Sequence, residues 1–133
     1  MSRSLRVLHL EDDPDFAKLV QELLRKEGWQ THPVVVDNHR DFVTTLEKNA
    51  FDVILGDYQL PSGSGLQALH VARQKAPNTP FVLVSGILSE EAAVETLKSG
   101  ATDFVLKSSI SRLVPAVQRA LRETGARRQA QDN

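Results

Sequence analysis

Along this chain, short, mainly apolar runs take turns with apolar stripes at helical spacing. The runs cover residues 5–10, 32–36, 51–56, 81–84 and 104–106, each the length of a strand. Phe81-Val82-Leu83-Val84 has no polar alternation, which predicts a strand covered on both faces. The stripes are Phe16, Leu19, Val20, Leu23, Leu24; Phe42, Val43, Leu46; Leu66, Leu69, Ala72; Ala93, Val94, Leu97; and Leu113, Val114, Val117, Leu121. Asp13-Pro14 opens the first stripe as an N-cap with a proline behind it, and Gly28 stops it. Gly100 and Gly125 stop the last two. Pro115 lacks an amide proton, so the regular part of the last helix is expected to begin near Arg112.

Five such alternations predict an α/β fold of (βα)5 type. It is a doubly wound five-stranded parallel sheet with right-handed crossovers and helices on both faces. Pro33 cannot donate to a ladder, which sends the second strand to an edge. The flavodoxin-like order 2-1-3-4-5 provides that edge; the Rossmann order buries strand two and needs a sixth strand. Residues 1–124 are expected to form one domain, and residues 125–133 a polar, flexible tail.

In such sheets ligands bind beyond the carboxyl ends of the strands. Strand one ends in Glu11-Asp12-Asp13, strand three in Gly56-Asp57, strand four in Ser85-Gly86 and strand five in Lys107. Strands one and three are neighbours in this order, about 4.8 Å apart, so their terminal carboxylates face each other. Such a group needs a compensating cation. An oxygen-only donor set selects a hard ion, and Mg2+ suits a site that keeps water and accepts a phosphate oxygen. A lysine beside it favours a further anion. Gly63-Ser64-Gly65 lacks the Lys-Ser/Thr of a P-loop, so a phosphoryl group must be delivered by a partner or become attached. Asp57 is the best nucleophile, because an aspartate forms an acyl phosphate.

Composition narrows the reading further. The 133 residues, 41% of them apolar, suffice for one core. Sixteen Lys+Arg against 17 Asp+Glu leave a net charge of −1, which argues against nucleic acid held by bulk charge. No cysteine is present, excluding disulfides and thiolate chemistry. No apolar run approaches the ~20 residues of a membrane span. No signal region follows Met1-Ser2-Arg3-Ser4, so a cytoplasmic location without membrane contact is expected.

Four segments together resemble the receiver domain of a two-component response regulator, of the single-domain, chemotaxis-regulator-like type. They are Leu8-His9-Leu10-Glu11-Asp12-Asp13-Pro14, Leu55-Gly56-Asp57-Tyr58-Gln59-Leu60-Pro61, Leu83-Val84-Ser85-Gly86, and Gly100-Ala101-Thr102-Asp103-Phe104-Val105-Leu106-Lys107. The resemblance implies that Asp57 accepts a phosphoryl group from a phosphohistidine of a histidine kinase or phosphotransfer protein. It implies Mg2+ held by Asp12, Asp57 and the Gln59 backbone carbonyl, with Glu11 acting through water. Lys107 would pair with a phosphoryl oxygen and Ser85 would hydrogen-bond the group. Ser85 and Phe104 would then switch the face made by helix four, strand five and helix five for protein–protein signalling. The resemblance implies a self-phosphorylating signalling domain with slow aspartyl-phosphate hydrolysis, not a turnover enzyme. The downstream target is expected to be a protein, without direct DNA binding.

Three departures from the family pattern stand out. Lys107 is followed by Ser108 where receivers commonly have proline, so a trans bond is expected. Ser85 replaces the more frequent threonine, and Phe104 lacks a phenolic hydroxyl. Gln59 and Ile87 are the expected tuners of dephosphorylation.

Other readings compete. A pseudo-receiver would keep the fold as an interaction module without phosphorylation. A haloacid-dehalogenase-type phosphatase places a second aspartate where this chain has Gln59, and an FMN binder would need hydroxyls where Glu11, Asp12 and Asp13 stand. Asp13 reads as a cap before it reads as a ligand. His9, inside strand one, reads as a packed residue, Trp29 as partial core cover and Asp103 as a turn residue. Arg112, Arg119, Arg122, Arg127 and Arg128 read as the wet face of helix five.

Overall fold

All five positions of Phe81–Ser85 are buried, as a strand with helices on both sides requires. The computed structural model describes residues 3–60, 63–86 and 88–132. Its main elements are β1 (Arg3–Leu10), α1 (Pro14–Lys26), β2 (Trp29–Val36), α2 (His39–Lys48) and β3 (Val53–Gly56). These are followed by α3 (Gly65–Lys75), β4 (Phe81–Ser85), α4 (Glu90–Lys98), β5 (Asp103–Leu106) and α5 (Leu113–Asp132). A short antiparallel pair, Gln59–Leu60 with Gly63–Ser64, precedes α3, and a 3-10 segment, Lys107–Arg112, precedes α5.

The sheet order is β2-β1-β3-β4-β5, every neighbouring pair parallel. This is the expected flavodoxin-like order, with Pro33 on the edge strand in register with Val7. Side chains of β1 alternate between two cores, as the twofold pleat dictates. Leu5 and Val7 join Val20 and Leu24 of α1 and Val117 and Ala120 of α5. Leu8 and Leu10 join Phe42 and Leu46 of α2 and Leu69 and Ala72 of α3. Trp29 opens β2 and is buried in the first core.

The helix caps are as the sequence predicts. Asp13 Oδ1 accepts from the amides of Asp15 (3.0 Å) and Phe16 (3.4 Å), so Asp13 is the N-cap of α1. Gly28 and Gly100, with φ of 103° and 112°, take the left-handed conformation just past α1 and α4.

Three expectations need revision. Of the stripe residues, Leu19 of α1 and Val94 and Leu97 of α4 are exposed, whereas Ala93 is buried as expected and Thr96, outside the stripe, is buried too. Thr96 tolerates burial because its hydroxyl donates to Ala92 O at 2.7 Å. Helix α5 does not stop at Gly125: its backbone runs on to Asp132, where a tail was expected. One glycine costs a helix only about 1 kcal/mol, and good helix formers follow it. Asp103 is the first residue of β5 rather than a turn residue, its carboxylate accepting from the Phe104 amide at 2.7 Å. Pro115 falls within the first turn of α5, where its missing amide proton breaks no helical bond.

Candidate functional site

The sheet ladder continues past its own strands and thereby fixes two acids. Asp57 N donates to Leu10 O at 3.1 Å, and Glu11 N donates to Val36 O at 2.9 Å. The backbones just beyond β1 and β3 are therefore tied into the sheet. Glu11 and Asp57 are buried, while Asp12 beside them is exposed. One carboxylate oxygen from each of Glu11, Asp12 and Asp57 lies within 4.8 Å of the other two.

Lys107, the first residue after β5, reaches into this group. Its Nζ lies 2.8 Å from Glu11 Oε1 and 3.2 Å from Asp57 Oδ2. The remaining oxygens are also engaged: Glu11 Oε2 accepts from Asp13 N at 3.0 Å, and Asp57 Oδ1 from Gln59 N at 3.1 Å. Burial pushes the Glu11 carboxyl above its ordinary range, and the bonds from Lys107 and Asp13 offset that only in part. Burial also works against the Lys107 ammonium, but Glu11 and Asp57 together outweigh it and hold that group above its usual value.

The donors are oxygens alone; no histidine joins the group among the described residues. Beyond Glu11 and Asp12 opens a cleft of about 300 Å3, lined also by Asp37 and Asp41. A cleft of one sign concentrates cations. Crowded carboxylates with an acidic approach fit a hard divalent ion such as Mg2+.

Ser85, the last residue of β4, is buried and in register with Leu106, the residue before Lys107. Phe104, in register with Leu83, is half-buried against the core shared with α2 and α3. Ile87, Pro61 and the side chains of Arg127 and Arg128 lie outside the described residues. The Lys107–Ser108 bond is trans, as no cis peptide occurs among the described residues.

Two contributors escaped the sequence reading. Gly65 N donates to Tyr58 O at 2.7 Å, and a Cβ placed on Gly65 would collide with Asp57 O. Only glycine lets the start of α3 approach the Asp57–Tyr58 backbone so closely. Phe16 is the other: the Lys107 ammonium lies 4.3 Å from the centroid of its ring. The GSG run hinted at the first; nothing local signalled the second. His9 is buried as expected, with no hydrogen-bond partner for either ring nitrogen among the described residues.

Comparison with known proteins agrees with this geometry. A family model described as the response regulator receiver domain matches residues 7–118. The response regulator protein PilR of Pseudomonas aeruginosa is 33% identical over 123 residues, 92% of this chain but 27% of PilR. The solution structure of the beryllofluoride-activated NtrC4 receiver domain dimer superposes with a TM-score of 0.81 at 26% identity, covering 90% of this chain and 98% of that one. NtrX from Brucella abortus gives 0.85 at 27% identity, covering 99% of this chain and 29% of that one. The chain spans between 22% and 50% of the curated relatives it matches. A matched model over most of its length, and the acid group with its lysine where the strands end, place this chain in the response regulator receiver domain family.

Proposed function

We propose that Asp57 accepts a phosphoryl group from a phosphohistidine on a histidine kinase or phosphotransfer protein. An Asp57 carboxylate oxygen attacks phosphorus. The O–P bond forms as the P–N bond to the imidazole breaks, and the bonding pair returns to the ring nitrogen. The product is an acyl phosphate. Asp12, Asp57 and the Gln59 carbonyl would hold Mg2+, with Glu11 acting through water; the ion would supply positive charge for the phosphoryl oxygens. Lys107 gives a second positive charge, already ordered beside Asp57 before the group arrives, which is positioning plus electrostatic stabilisation. Ser85 donates its hydroxyl to the new group, and Phe104 turns inward as Ser85 moves. The α4-β5-α5 face then changes shape for a protein target.

The observation that carries this reading is the Lys107 ammonium lying between Glu11 and Asp57. Beryllofluoride activation of the similar NtrC4 receiver supports a phosphoryl-driven switch. Balanced charge, −1 overall, favours a protein over DNA as the direct target. The aspartyl phosphate hydrolyses slowly, so the domain is a signalling device of the cytoplasm and not a turnover enzyme. Incubation with acetyl phosphate and Mg2+, followed by intact mass, tests this. One phosphoryl group is expected on the wild type and none on Asp57→Asn. No mass gain on the wild type would leave a phosphorylation-independent interaction module in its place.

A further inference from the structure

The Lys107 side chain is gripped on three sides, and only two of the grips are carboxylates. Its Nζ lies 2.8 Å from Glu11 Oε1, 3.2 Å from Asp57 Oδ2 and 4.3 Å from the ring centroid of Phe16. A cation over a ring face is attracted by the negative face of the π-system. Phe16 is itself held from two other directions. Its amide donates to the Asp13 carboxylate at 3.4 Å in the first turn of α1. The buried His9 ring meets it edge-on, with centroids 6.5 Å apart and planes at 62°.

The carboxylate contacts are the ones that chemistry must disturb. Once Asp57 carries a phosphoryl group it is no longer a carboxylate, and Glu11 and Asp57 face any divalent ion in the site. A lysine on a flexible stem would then lose its carboxylate anchors, with only the arriving phosphoryl oxygens to replace them. The Phe16 ring has no competing ligand, so its hold on the ammonium persists.

We propose that Phe16 is a positioning residue for phosphoryl transfer, its ring holding the Lys107 ammonium beside Asp57 while the carboxylates are engaged elsewhere. This rests on the phosphoacceptor reading of Asp57. The ring acts through Lys107 and touches no reacting atom.

The test compares the whole chain with Phe16→Leu, Phe16→Tyr, Lys107→Ala and the Phe16→Leu/Lys107→Ala double variant. Phosphorylation by acetyl phosphate is followed at saturating Mg2+, together with the proton shifts of the Lys107 ε-methylene. In the wild type that methylene is expected upfield through the ring current, as in Phe16→Tyr, and at its ordinary position in Phe16→Leu. The maximal rate is expected to fall about fivefold in Phe16→Leu, with half-saturation by acetyl phosphate unchanged, and to recover in Phe16→Tyr. With Lys107 already replaced, the Phe16 change is expected to cost nothing further. An equal rate loss with and without Lys107, an unchanged rate in Phe16→Leu, or an unshifted methylene in the wild type overturns the proposal alone. A wild type that takes up no phosphoryl group overturns the reading of Asp57 and this proposal with it.

Discussion

Lys107 Nζ lies closer to Glu11 Oε1, at 2.8 Å, than to Asp57 Oδ2, at 3.2 Å. In the metal-free protein the lysine is thus the cation that makes a buried pair of acids tolerable, and Glu11 is its nearer partner. Removing one member of such a pair leaves the rest uncompensated. Lys107→Met is expected to lose about 1–2 kcal/mol of stability in EDTA, discounted because the lysine is partly exposed. Millimolar Mg2+ should restore part of the loss. Urea unfolding with and without Mg2+ checks this, and an equal loss in both would be the wrong result.

The adjacent acids Asp12 and Asp13 should separate cleanly by role. Asp13 caps α1 through its side chain, and asparagine caps as well as aspartate does. Asp13→Asn is therefore expected to keep both stability and Mg2+ affinity. Asp13→Ala should lose about 1 kcal/mol of stability. Asp12→Asn removes one of three clustered charges and should weaken Mg2+ binding at least tenfold with little change in stability. Calorimetric titration with Mg2+ and urea melts of the three variants decide it.

His9 gives the fold an acid-side weakness. Burial, then the charge of Lys107, lowers its pKa from 6.5 to about 4. The unfolded chain therefore binds this proton first, and stability falls as pH drops below 6.5 and levels off below 4. The contribution is about 1 kcal/mol at pH 5.5 and about 3 kcal/mol at the limit. His9→Leu should flatten the slope between pH 7.5 and 5.5 in Mg2+-free buffer by that amount. A slope equal to that of the wild type would falsify the assignment.

Gly65 and Gly86 should respond oppositely to alanine. At Gly65 the added methyl group would collide with the Asp57 carbonyl, a backbone atom, while among the described residues nothing lies within 4 Å of a Cβ on Gly86. Gly65→Ala is expected to cost about 1–3 kcal/mol and to slow phosphorylation by displacing the acceptor. Gly86→Ala should change stability by less than about 0.5 kcal/mol. Thermal melts of both variants provide the comparison.

The sheet order was readable because one residue, Pro33, breaks a backbone rule that only an edge forgives. The acids and Lys107 were readable because strand ends converge in any sheet of this order. What escaped has equally definite causes. The pair Gln59–Leu60 and Gly63–Ser64 is two residues a side, too short for any period. In α4 the stripe Ala93, Val94, Leu97 holds only at Ala93: packing leaves Val94 and Leu97 exposed and buries Thr96, whose polarity hid it from a hydrophobic pattern. Gly125 reads as a stop, yet α5 absorbs it. Phe16 belongs to a stripe that reads only as core; that its ring meets Lys107 depends on bringing α1 against the end of β5, which no local pattern encodes.

Pro33 has one more effect, on what this protein does in company. Strand β2 is eight residues long and lies at an open margin of the sheet, with Val34 and Val35 well exposed. A long apolar margin of this kind invites strands from other molecules to add on and start aggregation. A proline is tolerated there when its nitrogen faces away from the neighbouring strand, and that orientation leaves a gap midway along the outer row of donors. The residue that marks this strand as an edge therefore also makes that edge a poorer template for a further strand.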